Sequence, residues 1–229
     1  SSTKRAALIA ALRAFAGVAV DDRSFRRDRI RPFLVDNERG KSVTIRAAGQ
    51  LFSAGTSGAN GHFSSTLTLA AGSASAADAE DRVVEIEAVL PNRDSRIFTG
   101  RVHLISSRGI SVISDIDDTI KHSQVTDKTE LLRNTFVREF RAVEGMPQLY
   151  SRLATSGVAF HYVSGSPWQL YGPLDAFLGG AGFPDGTYHL KHFRLKDSSA
   201  LEMLSSQQKT KLAAIEPLLA AFPERKFIL

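Results

Sequence analysis

Short runs in which apolar and polar residues alternate fill the first half of the chain. This alternation is typical of half-buried strands, and turn residues such as Asn60-Gly61 and Pro91 separate the runs. Short strands at this spacing predict a small β-sandwich-like domain over residues 21–108. The runs lie at residues 29–35, 42–46, 63–69, 84–88 and 100–105.

After Gly109 the pattern changes to apolar runs that alternate with segments of helical periodicity. Asp127 and Glu130 are spaced as a capping box before one helix, and Ser166-Pro167 is a favourable start for another. Strands that alternate with helices predict an α/β fold with a doubly wound parallel sheet over residues 109–229. The strands are expected at residues 110–114, 158–163 and 226–229, and the helices at 129–140, 146–155, 166–178 and 211–221.

Residues 1–20 predict an amphipathic helix at the start of the chain. Leu8, Leu12 and Phe15 recur at helical spacing and form an apolar face. A basic start before an apolar run also resembles a signal peptide, but Arg13 interrupts the run and favours the helix. The sequence leaves open whether a parent protein carries a cleaved signal, and whether the helix docks on a domain or on a membrane.

Composition and charge exclude several classes of protein. The 229 residues include no cysteine, so disulfides and thiolate metal sites are excluded. No apolar run approaches the roughly 20 residues of a membrane span, and we expect a cytoplasmic or peripheral membrane location. The net charge of +5 suits an anionic partner, but no nucleic-acid-binding motif accompanies it, and nucleic acid is not predicted as a partner.

The strongest chemical signal follows directly on the predicted strand at residues 110–114. Asp115, Asp117 and Asp118 supply three carboxylates, and Thr119 adds a hydroxyl. Ligands bind at the carboxyl ends of parallel strands, and clustered carboxylates repel one another unless a cation offsets their charge. Mg²⁺ is the cation that fits best, because it prefers hard oxygen ligands and is often shared with phosphate.

Two other interpretations of this acidic run are a calcium loop and an ordinary acidic turn. Asp115, Asp117 and Thr119 match the first three ligand positions of an EF-hand, but Ile120 stands where Gly is required and Thr126 where Glu is required. A strand rather than a helix also precedes the run, so the calcium loop is set aside. An ordinary turn remains the simple alternative.

Ser164 and Lys211 add two further polar positions at strand and helix boundaries. Ser164 follows the second predicted strand, and a helix that begins at Ser166-Pro167 would present free N–H groups to the same sheet edge. Lys211 is predicted in the first turn of its helix, where the helix dipole disfavours a cation. Taken alone, Ser164 is better explained by an ordinary strand–helix turn, and Lys211 by a solvated lysine.

The ordered set of these motifs resembles the haloacid dehalogenase phosphatase superfamily. More narrowly, three longer motifs are similar to those of the actin-patch-type Mg²⁺-dependent phosphatidate phosphatases, whose chemistry is lipin-like. The resemblance is close over residues 109–229 and loose over the preceding strands. The motifs are Asp115-Ile116-Asp117-Asp118-Thr119-Ile120-Lys121-His122-Ser123, Phe160-His161-Tyr162-Val163-Ser164-Gly165-Ser166-Pro167-Trp168-Gln169-Leu170 and Gly182-Phe183-Pro184-Asp185-Gly186.

The resemblance implies roles for the acidic motif. Asp115 would be the nucleophile that forms an aspartyl-phosphate. Asp117 would protonate the leaving alkoxide and then deprotonate the attacking water, and Thr119 would position Asp117 or the backbone of the motif. Mg²⁺ would bind the Asp115 carboxylate and the backbone carbonyl of Asp117.

The resemblance also implies a binding site for the phosphoryl group. Ser164, Gly165 and Ser166 would contact its oxygens, and Lys211 would offset its charge. The family has a fourth, acidic motif just after the strand that Phe227 begins, and that motif supplies a metal-binding Asp. The printed sequence ends before this motif, and we expect a longer parent protein to carry it.

The function expected from this resemblance is the Mg²⁺-dependent hydrolysis of phosphatidate to diacylglycerol and phosphate. The expected partner is this anionic phospholipid, met at a peripheral membrane surface. Two alternatives stay open: a phosphatase of a soluble phosphomonoester, and a non-catalytic module that binds a membrane or a protein.

Overall fold

The computed structural model describes residues 10, 25–35, 38–70, 72, 82–91, 94–192 and 207–229, without the side chains of 207–210. The predicted helix at residues 1–20 therefore lies outside the described residues, apart from Ala10. The chain divides into two units. One comprises Asp36–Ser106, and the other combines the segment that ends at Val35 with Ser107–Leu229.

The unit Asp36–Ser106 contains an antiparallel sheet with the strand order β2-β1-β3-β4. Ala48 and Gly49 have φ angles of 46° and 73° and form the two-residue turn between β1 and β2. Ile45 and Val84 are among its buried apolar residues. The strands are β1 Ser42–Ala47, β2 Gln50–Thr56, β3 Val83–Val89 and β4 Thr99–His103.

This unit differs from the predicted β-sandwich-like domain in three ways. Its described residues form one sheet rather than two packed layers, and alternation did not predict β2. No strand forms at residues 63–69. Asn60-Gly61 instead belongs to a local loop in which Gly58 N donates to His62 O and Gly61 N donates to Gly58 O.

The segment at residues 25–35 corrects the predicted domain boundary at residue 21. In place of a strand at residues 29–35, the chain forms helix α1 Arg27–Ile30 and a 3₁₀ turn Arg31–Leu34. Pro32 lies in the first turn of that 3₁₀ segment, where its missing N–H leaves no hydrogen bond unmade. Phe25 and Phe33 are buried in the same core as Val112, so this segment belongs to the α/β unit.

The second unit contains four parallel strands in the order β7-β6-β5-β8, which confirms the α/β prediction at the level of a mixed fold. No helix in the described part of the chain combines the length and the apolar character that crossing a membrane requires. The strands are β5 Gly109–Asp115, β6 Ala159–Pro167, β7 Thr187–Lys191 and β8 Arg225–Ile228. The helices are α2 Lys128–Phe136, α3 Met146–Thr155, α4 Tyr171–Gly180 and α5 Gln207–Ala221.

Helices pack against both faces of the parallel sheet. Successive side chains of a strand point to opposite faces, so Val112 and Ile113 of β5 belong to different cores. Ile113 and Val163 pack with Leu218 of α5. Val112 packs in the larger core, to which α2, α3 and α4 contribute. The core residues that these helices contribute are Leu132, Phe136, Tyr150, Leu174 and Leu178.

A buried polar chain joins neighbouring strands of the parallel sheet. Arg225 Nε donates to Ser111 Oγ at 2.9 Å, which links β8 to β5. The His161 ring connects Ser111 Oγ, at 3.2 Å, to Thr187 Oγ1, at 2.8 Å, and so links β5 through β6 to β7. Buried polar groups are costly unless they are hydrogen-bonded, so these contacts favour one alignment of the four strands.

Gly186 offers a test of how closely β6 and the start of β7 approach. A Cβ atom at Gly186 would lie 2.5 Å from the carbonyl oxygen of Phe160. We expect Gly186→Ala to lower the free energy of unfolding by about 1–3 kcal/mol, because the backbone would have to shift. Urea unfolding followed by the fluorescence of Trp168, the only tryptophan, would measure this loss.

Gly180→Ala is the matched control, because no atom lies within 4 Å of a Cβ at this helical position. We expect its free energy of unfolding to change by less than about 0.5 kcal/mol or to rise slightly. Equal effects of the two substitutions would contradict the close approach at Gly186.

Candidate active site

The carboxyl ends of β5 and β6 bring the predicted acidic and hydroxyl residues to one edge of the sheet. Asp115 is the last residue of β5 and pairs with Val163, the residue before Ser164 on β6. The structure therefore places Ser164 beside the acidic motif, as expected for neighbouring parallel strands. Lys211 reaches the same edge from α5.

Asp115 and Lys211 form an ion pair that remains partly open to solvent. Lys211 Nζ lies 2.9 Å from Asp115 Oδ2, and the side chains are 25% and 27% exposed. Burial raises the pKa of Asp115 above its ordinary value, and Lys211 only partly offsets this effect. Asp115 Oδ1 is buried without a hydrogen-bond partner in the described residues, so one carboxylate oxygen retains its capacity to accept a hydrogen bond or to bind a cation.

Lys211 is the fifth residue of α5, because the helix begins at Gln207. The prediction that it lies in the first helical turn is therefore wrong. The positive charge of Lys211 is stabilised by the Asp115 carboxylate.

Asp117 is buried and accepts hydrogen bonds on both carboxylate oxygens. Oδ1 contacts Lys121 Nζ at 3.0 Å and Ser123 Oγ at 2.6 Å. Oδ2 accepts from Ser164 Oγ at 2.7 Å and from Ser166 Oγ at 3.2 Å. Four side-chain donors thus fix the orientation of this carboxylate.

The negative charge of Asp117 is compensated by a buried lysine and by hydroxyl groups. Burial disfavours the charged carboxylate, but Lys121 and the hydroxyls of Ser123 and Ser164 outweigh burial and lower the pKa of Asp117 below its ordinary value. Lys121 is itself only 2% exposed, which is rare for a lysine unless it is paired.

A tight turn after β5 returns Lys121 to Asp117. The backbone N–H groups of Ile120 and Lys121 donate to Ile116 O at 3.1 and 2.9 Å, and Asp118 N donates to Lys121 O at 2.8 Å. Ile116 and Ile120 are fully buried and anchor the turn in the core. Asp118 adopts a left-handed conformation with φ 61°, which an Asp tolerates better than most residues.

Asp118 holds the loop that follows this turn and does not join the other two carboxylates. Its oxygens accept the backbone N–H groups of Ser123, Gln124 and Val125, each at 2.7 Å. Burial opposes its charge, but these three donors lower the pKa of Asp118 below its ordinary value. The described residues contain no group of three or more metal-ligating side chains.

The expected repulsion between carboxylates is offset here by lysines. Asp115 is paired with Lys211, and Asp117 is paired with Lys121. These two carboxylates therefore do not by themselves require a metal ion, because each has its own lysine as a counter-charge.

The hydroxyl positions are found near the acids, but their surroundings differ from the prediction. Strand β6 continues through Pro167, and helix α4 begins only at Tyr171 after a 3₁₀ turn. The prediction that a helix starts at Ser166-Pro167 is therefore wrong. Ser164 Oγ accepts from Ser166 N at 2.8 Å, and both hydroxyls are directed at Asp117.

Thr119 and Gly165 make no contact that tests their predicted roles. Thr119 is half-buried in the turn and is not among the donors to Asp117, whereas Gly165 is buried between the two serines. Sequence reasoning missed Lys121 and Ser123, which appeared only within a longer motif. The spacing of four residues between Asp117 and Lys121 is the one local signal that points to this pair.

Comparison with known proteins identifies a family that matches the part of the chain around this site. The family described as "Phosphatidate phosphatase APP1, catalytic domain" matches residues 110–229. The chain is 38% identical over 129 residues to the phosphatidate phosphatase APP1 of Saccharomyces cerevisiae, covering 55% of this chain and 22% of that protein. It is also 26% identical over 153 residues to an uncharacterized protein of Schizosaccharomyces pombe, covering 63% and 25% of the two chains.

The chain thus spans about a quarter of the length of these two curated relatives. The family match begins in β5 and runs through β8, so it includes every residue of the candidate site. Because it covers just over half of the chain, this chain belongs to the family of phosphatidate phosphatase APP1 catalytic domains.

Proposed function

We propose that this chain carries the catalytic unit of a Mg²⁺-dependent phosphatidate phosphatase, which hydrolyses phosphatidate to diacylglycerol and phosphate. The observation that carries the proposal is the pair of differently held acids at the end of β5. Asp115 is partly exposed and has one oxygen without a hydrogen-bond partner in the described residues, whereas Asp117, two residues away, is buried and hydrogen-bonded on both oxygens. A haloacid-dehalogenase-like fold fits the parallel sheet with helices on both faces.

Asp115 is the proposed nucleophile. One of its carboxylate oxygens would attack the phosphorus atom and form an aspartyl-phosphate, while the bond to the diacylglycerol oxygen breaks. Lys211, 2.9 Å from Asp115 Oδ2, orients the carboxylate and would offset charge on the phosphoryl oxygens.

Asp117 is the proposed acid and base. Its Oδ2 faces Ser164 and Ser166, on the side where a phosphoryl group would bind. Negative charge on that group would favour the protonated carboxyl, which would give its proton to the leaving alkoxide. Asp117 would then take a proton from the water that attacks the aspartyl-phosphate, which breaks the bond to Asp115 and releases phosphate. Asp117 would lose this proton again to solvent once the phosphate has left, which returns the site to its starting state.

Ser164 would exchange one hydrogen-bond partner for another in this cycle. Its hydroxyl donates to Asp117 in the free site, so it would turn to a phosphoryl oxygen when substrate binds. The backbone N–H of Ser166 already holds Ser164 Oγ and would limit this movement to rotation of the hydroxyl proton.

The donor atoms fit Mg²⁺ as the cofactor. The Asp115 carboxylate has a buried oxygen without a partner in the described residues, and the backbone carbonyl of Asp117 would be the second ligand. Mg²⁺ usually retains several water ligands and binds through one or two carboxylates together with phosphate, so two protein ligands are a sufficient start. When bound, the ion would offset negative charge on the transferring phosphoryl group.

The proposed substrate is phosphatidate at a membrane surface. The Saccharomyces cerevisiae relative is named for phosphatidate phosphatase activity, and this supports the same class of substrate for the matched region. A soluble phosphomonoester would react with the same two acids. Contacts between the protein and the part of the substrate beyond its phosphate therefore determine which ester is hydrolysed.

The role of Asp115 is tested by Asp115→Asn in the full-length protein that contains this chain. We expect phosphate release from phosphatidate to fall by at least about 10³-fold, because the amide removes the nucleophilic charge at nearly constant shape. Asp28→Asn is the control, since its side chain is 54% exposed. Full activity of Asp115→Asn would exclude Asp115 as the nucleophile, whereas a wild type that is folded by circular dichroism but releases no phosphate would favour a binding module.

The substrate class is tested by comparing phosphatidate in mixed micelles with p-nitrophenyl phosphate in solution. We expect a kcat/KM at least about tenfold higher for phosphatidate, because contacts to the lipid contribute binding energy to the reaction. Equal or faster hydrolysis of the aryl ester would still indicate a phosphatase, but it would exclude phosphatidate as the preferred substrate.

The metal requirement is tested by removing divalent ions with EDTA. We expect phosphate release to stop and Mg²⁺ to restore it, whereas Ca²⁺ should restore it poorly because its coordination is larger and less regular. The circular dichroism spectrum should stay unchanged in EDTA, because the described cores consist of packed apolar side chains. Undiminished activity in EDTA would rule out the Mg²⁺ cofactor.

A further inference from the structure

The two oxygens of Asp117 have different surroundings. Oδ1 contacts Lys121 and Ser123, which belong to the turn after β5. Oδ2 faces Ser164 and Ser166, which belong to β6 at the carboxyl edge of the sheet. The turn therefore holds Oδ1, while Oδ2 faces the proposed phosphoryl site.

Lys121 is buried, and its ammonium group lies close to a hydroxyl, a carboxylate and an aromatic ring. Its Nζ donates to Ser123 Oγ and contacts Asp117 Oδ1 at 3.0 Å. The same atom lies 5.0 Å from the ring centroid of Phe140. Because the side chain is only 2% exposed, Lys121 differs from Lys211, which is accessible to a substrate.

Phe140 also contacts the guanidinium group of Arg29. The Arg29 guanidinium carbon lies 3.5 Å from the Phe140 ring centroid. Arg29 Nη1 also donates to the backbone oxygens of Thr135 at 2.9 Å and Arg138 at 2.7 Å. The ring that borders Lys121 is thus fixed by a buried residue of the segment at 25–35.

We propose that Lys121 is a positioning residue for the reaction. Together with Ser123 it holds Oδ1 of Asp117, so that Oδ2 is directed at the leaving oxygen of a substrate bound beside Ser164. This inference rests on the proposed phosphatase function and assigns Lys121 no contact with the substrate.

The leaving group of the substrate distinguishes positioning from a general structural role. Diacylglycerol leaves as an alkoxide that needs a proton, whereas p-nitrophenolate is stable without one. If Lys121 directs the acid, its loss should slow only the ester that needs the proton. Because kcat/KM reports the steps up to formation of the aspartyl-phosphate, it isolates this half of the reaction.

The test is Lys121→Met in the full-length protein, assayed on short-chain phosphatidate and on p-nitrophenyl phosphate. We expect kcat/KM for phosphatidate to fall by about 10²-fold and kcat/KM for the aryl ester to fall by less than about threefold. Lys128→Met, at an exposed position of α2, is the control and should leave both values unchanged. Parallel losses on both esters would overturn the proposal.

Ser123→Ala provides a second variant that keeps the ion pair between Lys121 and Asp117. It should show the same selectivity with a smaller loss, about tenfold on phosphatidate. It carries the comparison if Lys121→Met does not fold, and an equal loss on both esters would again overturn the proposal.

Crystal structures of the wild type and Lys121→Met give a readout that does not depend on activity. We expect the Asp117 carboxylate to rotate away from Ser164 in the variant. An unchanged orientation of Asp117 would overturn the positioning role. If the wild type hydrolyses neither ester, the proposed function fails, and the orientation of Asp117 alone decides the role of Lys121.

Discussion

The buried charge of Asp117 is the constraint on which the candidate site in the α/β unit depends. Removing a carboxylate from water costs several kcal/mol unless close partners compensate it. The compensating groups come from the turn at residues 116–123 and from β6, so the contacts that stabilise the charge also fix the turn against the sheet. The turn that carries the proposed acid is also part of the folded core, because its residues Ile116 and Ile120 are buried among apolar side chains.

The two acid–lysine pairs at this edge differ in a way that suits a division of roles. Lys121 lies near Asp117 in the sequence and is sealed from solvent, whereas Lys211 reaches Asp115 from a distant helix and stays partly exposed. A sealed pair keeps its geometry when a substrate enters. An open pair can reorganise around an incoming phosphoryl group, which is what a nucleophile and its counter-charge require.

Local patterns in the sequence explain which parts could be predicted. Helix α3 was predicted with its observed bounds, Met146–Thr155, because apolar periodicity and Gly157 mark it clearly. The hairpin of β1 and β2 was hidden, because an Ala rather than Asn or Asp precedes Gly49 in its turn. The start of α4 was missed because Ser-Pro suits both a helix start and a strand end. Burial of Lys121 depends on Phe140, a contact that no local pattern encodes.

The α/β unit is larger than the region that matches the family. The match begins at residue 110, whereas Phe25, Ile30 and Phe33 are buried in the same core as the parallel sheet. Arg29 binds carbonyls at the end of α2 and packs on Phe140, next to the lysine that holds Asp117. The antiparallel unit is therefore inserted, along the chain, between two segments that share one core. Because a core is stable only when its apolar faces are covered, residues 25–35 belong to the structure that supports the active site.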